Sequence, residues 1–245
     1  MANWSDPRPA ASAFAPGRAG VRTEERDAGL RRYMLSVYNY MASGVLLTGI
    51  VALLFAQSGA AANVFFTPGP LKYLIMFSPL AFILVLSFGI NRLSTGAAQA
   101  LFWTFAAVMG LSMSTIFLVY TGPSIAITFF ATASAFLALS LYGYTTKRDL
   151  SGFGTFLIMG VVGLLVASLL NIWFRSPGLS LVISAVGVLL FAGLTAYDTQ
   201  RIKGMYDYVA GTDMMGKAVI MGALSLYLDF VNMFQFLLSF LGSRD

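Results

Sequence analysis

Two carboxylates stand within the apolar segments near the carboxyl terminus of the chain. Asp198 lies at the end of one apolar run, and Asp229 lies near the middle of the next, residues 221–240. A charged group at bilayer depth is costly unless it faces protein, water or a partner, so both residues indicate the interior of a helix bundle. Two carboxyl groups that meet away from bulk water cannot comfortably both ionise, and we expect them to share one proton. Such a pair would sense pH.

The two segments carry further polar residues beside these carboxylates. At about 100° per residue, Ser225 and Asn232 fall on the same side of the last helix as Asp229. Thr195 shares a face with Asp198 on the preceding helix. These three residues are candidates for lining an ion pathway. Carboxylate, hydroxyl and amide oxygens suit a hard cation such as calcium, which Asp198 and Asp229 would bind only transiently.

An antiparallel hairpin of these two helices would bring the aspartates together. The midpoint between them falls at residues 212–214, where a turn is expected beside Gly211. Symmetry about this turn predicts that the two aspartates lie at equal heights in the membrane. They would lie at mid-depth if both helices continue to the turn, and nearer the cytoplasmic surface if the helices end early. In the competing interpretation, each aspartate only makes an interhelical hydrogen bond or pairs with Arg201 or Arg92.

Arg92 ends the second apolar segment on the side where we expect the hairpin turn. One interpretation is a cytoplasmic anchor, because Arg and Lys accumulate on the inner side of membrane proteins. The alternative is a cationic latch that contacts the aspartate pair while a carboxylate is ionised and lets go when it is protonated. The sequence leaves both interpretations open.

The composition predicts an all-α membrane protein with a single membrane domain. Of 245 residues, 58% are hydrophobic and only 10% are charged, whereas soluble domains have about 25% charged residues. The chain has no Cys and no His, which excludes disulfides, thiol nucleophiles and His-based metal sites. We expect seven spans in a domain of residues 31–245, with the last helix at the centre of the bundle. The predicted spans are 36–57, 72–91, 99–120, 124–144, 153–174, 179–203 and 217–241.

The basic residues predict the orientation of the chain. Residues 1–30 are expected to form a disordered basic tail, and the apolar segments start after it. With the amino terminus in the cytoplasm, 12 of the 15 Lys and Arg residues lie on the inner side, which favours this orientation. Arg26, Arg31 and Arg32 are then interpreted as a cytoplasmic anchor, with specific lipid recognition as the less favoured alternative. The same charge pattern indicates no nucleic-acid partner.

The residues around the aspartates resemble a known family. The pair Tyr197-Asp198, the run from Ala223 to Phe234 and the seven spans after a basic amino-terminal region are similar to the Bax inhibitor family, whose members carry the transmembrane Bax-inhibitor motif. The resemblance covers about residues 30–243 and indicates the bacterial branch. It implies a seven-helix fold and a pH-sensitive calcium leak in which Asp198 and Asp229 share a proton and Arg92 is the latch.

Three functional hypotheses follow. The leading one is a calcium leak channel or transporter that needs no cofactor, in a bacterial inner membrane. A second is a membrane-embedded regulator that binds and restrains a membrane protease or another membrane protein. The third is an intramembrane aspartyl protease, which also places one aspartate on each of two helices. Because Asp229 lacks the two preceding glycines of such proteases and no Pro-Ala-Leu run follows, we expect no enzymatic activity.

Overall fold

The structure is a computed structural model that describes residues 16–244, with side chains from Glu24 onward. Within this range the chain is almost entirely helical, and the only extended pairing is an isolated bridge between Tyr120 and Arg244. The helices are α1 (Pro16–Gln57), α2 (Ala60–Phe66), α3 (Leu71–Gly89), α4 (Thr95–Met113), α5 (Ile116–Val119), α6 (Gly122–Thr145), α7 (Ser151–Phe174), α8 (Pro177–Val209) and α9 (Met215–Leu241).

Seven helical segments are long and apolar enough to cross a membrane: α1, α3, α4 together with α5, α6, α7, α8 and α9. They coincide with the seven predicted spans, so the prediction of an all-α, seven-span architecture is confirmed. Ser94, Thr121 and Ser176 each cap the helix that follows, because the side-chain oxygen accepts a bond from a backbone N–H of its first turn. These caps fix the short connections between spans.

The two ends of the bundle are defined by α8 and α9. These helices are joined by the short turn 210–214, in which Gly211 has a φ of 75°, a left-handed conformation that suits glycine. We call this the hairpin end. At the opposite end, the carboxyl-terminal end, Ser243 accepts a bond at 3.2 Å from the backbone N–H of Thr121. The start of α1 lies at the hairpin end, where Arg26 pairs with Asp207.

Helix α9 lies at the centre of the bundle and packs against α1, α4, α6 and α8. Tyr227 is fully buried and contacts Phe102 and Phe105 edge-on, while its hydroxyl is 2.6 Å from that of Thr48. On another side, Phe230 packs edge-on against Phe136 of α6. The prediction of a central last helix is therefore confirmed.

The amino-terminal segment departs from the prediction of a disordered tail over residues 1–30. Helix α1 already begins at Pro16, so residues 16–30 are helical, and residues 1–15 lie outside the described residues. The reason is docking on the extended end of α8. Arg26 donates two hydrogen bonds, of 2.9 and 2.8 Å, to Asp207, and the rings of Tyr33 and Tyr206 lie 5.6 Å apart.

Glycines let α6 and α7 approach α8 closely. A Cβ at Gly143 of α6 would overlap the carbonyl group of Ala196, and a Cβ at Gly154 of α7 would overlap the ring of Tyr197. Small residues at such crossings are typical of membrane helices, where association depends on close packing. Helix α8 is thereby held between α6, α7 and α9.

Candidate functional site

The register between α8 and α9 is defined by contacts along their length. Ser184 donates to Ser239 over 3.0 Å, and a Cβ at Gly222 would lie 3.1 Å from Ile202. In the antiparallel register set by these two pairs, Asp229 of α9 lies opposite Thr195 of α8. The same register places Asp198 opposite Ser225 (Ser225 itself is half-buried).

Both aspartates lie on the faces that α8 and α9 turn toward each other, but they differ in height by about one helical turn, or about 5 Å. The sequence predicted equal heights, and this is wrong because α8 extends to Val209 and α9 begins at Met215. The turn is therefore centred on residue 212, which is 14 residues from Asp198 and 17 from Asp229.

The two carboxylates lie at different depths. Asp198 is 21 residues after Pro177, the first residue of α8, which corresponds to about 31 Å of helix. A hydrocarbon core of about 30 Å would thus end near Asp198 at the hairpin end. Thr195, which lies opposite Asp229, is 18 residues after Pro177, or about 27 Å on the same scale. Both carboxylates therefore lie toward the hairpin end of α8, with Asp229 about one helical turn deeper than Asp198.

Asp229 is buried, with 4% of its surface exposed. Its Oδ2 atom has no hydrogen-bond partner among residues 24–244. The neighbouring polar side chains bond within their own helices: Thr195 donates to the carbonyl of Phe191 and Asn232 to that of Leu228, both over 2.8 Å. Since a buried acceptor without a partner is unfavourable by about 1–3 kcal/mol, this carboxyl group lowers the stability of the fold in this conformation.

Asp198 is nearer to solvent, with 13% of its side chain exposed, and its Oδ1 lies 3.7 Å from Nη1 of Arg201. This contact agrees in part with the competing interpretation, in which the aspartates pair with a nearby arginine. At 3.7 Å the ion pair is loose, and 55% of the Arg201 side chain is exposed. Asp198 is therefore a carboxylate at the mouth of the α8–α9 interface, whereas Asp229 lies inside it.

Arg92 lies apart from both aspartates. It is exposed in the turn between α3 and α4 and forms no ion pair with the residues whose side chains are described. The adjacent Asn91 accepts a bond from Lys217 over 3.4 Å, so this turn lies at the start of α9. Asp229 is 12 residues further along α9, about 18 Å away, beyond the reach of an arginine side chain. The latch stays a prediction for another conformation.

Polar cavities enter the α7–α8–α9 interface from the carboxyl-terminal end. One has a volume of about 450 Å³ and a second about 260 Å³, and they share Asn171, Ser180 and Ser239. The first also contacts Arg175 and Arg244, and the second reaches Ser184 and Gln235. Together they form a cleft, the carboxyl-terminal cleft, that follows the polar side of α9 toward Asp229.

An aromatic pair separates this cleft from the aspartates. The rings of Phe191 and Phe236 are stacked, with centroids 5.8 Å apart and an interplanar angle of 22°. Phe236 fits against Gly187, where a Cβ would lie 2.6 Å from the ring. The sequence alone assigns no role to this pair. Gly187 lies on the same face of α8 as Asp198, and a glycine at this position could have indicated close packing. Only the register between α8 and α9 shows that Phe236 is the ring that packs against it.

The described residues contain no group of three or more Asp, Glu, His or Cys side chains that could hold a metal ion. Asp198 and Asp229 therefore offer two carboxylates at most. Calcium prefers six to eight oxygen ligands, so this arrangement suits transient contact with a passing cation better than storage of a bound one.

Comparison with known proteins identifies the family. The family model described as "Inhibitor of apoptosis-promoting Bax1" matches residues 30–245. The chain belongs to the Bax inhibitor family. It is 49% identical to protein RP147 of Rickettsia prowazekii over 89% of this chain and 92% of that protein. It is 47% identical to "Inner membrane protein YbhL" of Escherichia coli K12, over 89% of this chain and 94% of that protein.

A more distant relative is a membrane protein of Streptococcus pyogenes serotype M3, which is 35% identical over 90% of this chain and 96% of that protein. These bacterial relatives confirm the resemblance found in the sequence. With seven apolar helices, this member of the Bax inhibitor family is a multi-pass integral membrane protein.

Proposed function

We propose that this Bax inhibitor family protein is a pH-sensitive cation leak, with calcium as the favoured ion, and that the pathway follows the α8–α9 interface. One observation carries the proposal: a buried carboxyl oxygen of Asp229 lacks a hydrogen-bond partner among the described residues, on an interface that is polar toward both ends. An intramembrane ionisable group of this kind commonly marks an ion or proton pathway.

The polar groups follow one another along the interface. From the carboxyl-terminal cleft, Ser239 and Gln235 lead toward Asn232 and Asp229 on α9. From the hairpin end, the partly exposed Asp198 is reached past Arg201. Carboxylate, amide and hydroxyl oxygens can replace part of the hydration shell of a calcium ion on such a path. The scarcity of carboxylates lets the ion leave again.

The conformation described here is the closed one in this proposal. Asp229 is 4% exposed, and the stacked rings of Phe191 and Phe236 block the way from the carboxyl-terminal cleft. A hydrophobic constriction excludes hydrated ions. Gain or loss of the proton shared by Asp198 and Asp229 changes the repulsion between the two helices, and this repulsion acts beside the aromatic pair. We propose that protonation controls the constriction in this way.

This proposal includes no enzymatic activity. Asp229 lacks the two glycines that precede an aspartate of intramembrane aspartyl proteases. One relative is named an inner membrane protein, and we propose the same location here, with the hairpin end in the cytoplasm. The excess of Lys and Arg on that side supports the orientation.

The test is calcium flux into proteoliposomes across a series of pH values. We compare the wild type with Asp198→Asn, Asp229→Asn and the double variant, and with Asp213→Asn as a matched control, since Asp213 is exposed in the turn between the helices. We expect the flux of both single variants to lose its pH dependence, and that of the control to keep it. Unchanged flux and pH dependence in the double variant would show that the mechanism is wrong.

A further inference from the structure

A long apolar groove lies between α1 and α6, away from the α8–α9 interface. Both helices pack against α9, and Phe230 of α9 lies at the floor of the gap between them. The groove has a volume of about 710 Å³ in its first part. A second cavity of about 340 Å³ continues it and shares Val45, Phe129 and Phe230 with the first.

The groove is long enough for an acyl chain. Its first part contacts α1 from Arg31 to Leu46, which is about 22 Å of helix. One leaflet of a bilayer contributes about half of a hydrocarbon core of about 30 Å. A lipid whose headgroup lies at Arg31 can therefore place a whole acyl chain inside the groove. The walls are open to the bilayer, since Leu46 and Leu137 are 64% and 67% exposed.

The end of the groove at the hairpin end is basic and polar. Arg31 lines it, is exposed and forms no ion pair with any residue whose side chain is described. Tyr38 and Ser140, whose hydroxyls are hydrogen-bonded, and Tyr144 line the same end. Lys203 donates to the carbonyl of Tyr144 over 2.7 Å and brings a second cation beside it.

We propose that this groove binds one anionic phospholipid of the surrounding bilayer, with its phosphate at Arg31 and an acyl chain over Phe230. Arg31 supplies a charge that complements a phosphate, and the rest of the groove is apolar. A second copy of the chain would place an apolar helix in the groove and leave this charge unmatched. The site is separate from the ion pathway, so it does not depend on the proposed leak.

The test uses the full chain, purified in detergent and titrated with dioleoyl phosphatidylglycerol or with dioleoyl phosphatidylcholine, and native mass spectrometry counts the bound lipids. We expect one phosphatidylglycerol to bind more tightly than phosphatidylcholine. Arg31→Gln should weaken phosphatidylglycerol binding about fivefold or more, because an arginine near an anionic surface contributes about this factor. Arg32→Gln is the matched control, since Arg32 is exposed on the same helix outside the groove.

A second pair of variants tests the acyl-chain site. Ala133→Phe fills the groove, whereas Ala135→Phe adds the same ring to an exposed position of α6 outside it. We expect only Ala133→Phe to abolish binding of the single tight lipid, with both variants equally monodisperse. Equal binding of the two lipids by the wild type, or equal effects of the two members of either pair, would overturn the proposal. A dimer that forms without lipid and is lost in Ala133→Phe would assign the groove to a second copy instead.

Discussion

The substitution Gly187→Ala tests whether the aromatic pair closes the pathway. The new methyl group would lie 2.6 Å from the ring of Phe236, whereas carbon atoms in contact prefer about 3.5–4.0 Å. The ring must therefore move by about 1 Å, which disturbs its stack on Phe191. Because that stack separates the carboxyl-terminal cleft from Asp229, we expect the variant to leak more.

Two terms set the effect of Gly187→Ala on stability. Overpacking of this kind destabilises by about 1–3 kcal/mol, and Ala in place of Gly in a helix stabilises by about 1 kcal/mol. The free energy of unfolding should therefore fall by about 0–2 kcal/mol. Part of this overpacking cost is the lost interaction between the stacked rings, about 0.5–1.5 kcal/mol. If this lowers the barrier to the ion, flux rises about two- to tenfold.

Gly163→Ala in α7 is the matched control, because a Cβ at Gly163 would have no neighbour within 4 Å. It gains the same helix propensity without the overlap, so the difference in unfolding free energy between the two variants measures the overlap alone, about 1–3 kcal/mol. Unfolding is followed in mixed micelles and calcium flux in proteoliposomes. Equal stability of the two variants, or flux of Gly187→Ala no higher than wild type, would refute the argument.

Three further predictions concern the scaffold and the latch. Tyr227→Phe removes the buried hydrogen bond to Thr48 and should lower the unfolding free energy by about 0.6 kcal/mol, up to about 1.7, in mixed micelles. Hydrogen bonds from Ser151 lower the pKa of Asp149, so Ser151→Ala should raise that pKa toward its ordinary value in an NMR titration, and an unchanged pKa would contradict this. Arg92→Gln should change the pH dependence of calcium flux if the latch acts in another conformation, whereas an unchanged profile would leave Arg92 as an anchor only.

Much of the fold could be predicted from the sequence, because the signals are local. Apolar segments of about 20 residues with Pro and Gly at their ends define the spans, and the polar face around Asp229 places the last helix at the centre. The extent of α1 could not be predicted in this way. Residues 16–30 have no apolar period of their own, and the contacts with Asp207 and Tyr206 that hold part of this segment come from a distant part of the chain.

The candidate site could be predicted only in part. Helical periodicity predicts that Asp198 and Asp229 lie on the faces that α8 and α9 turn toward each other, but their relative height depends on where each helix ends at the turn. Arg92 shows the same limit: its side of the membrane follows from the span order, whereas its distance from Asp229 depends on how far α9 extends beyond Lys217. The aromatic pair and the groove at Arg31 depend on packing between helices, which no local pattern records.

The central claim is that the two aspartates bind one proton as a unit. Infrared difference spectroscopy of the protein in lipid measures this directly, because the carbonyl stretch of a protonated carboxyl group can be assigned to Asp229 by its loss in Asp229→Asn. We predict that Asp198→Asn changes the pH at which this band titrates. An identical titration of Asp229 with and without Asp198 would contradict the shared proton and, with it, the proposed control of the leak.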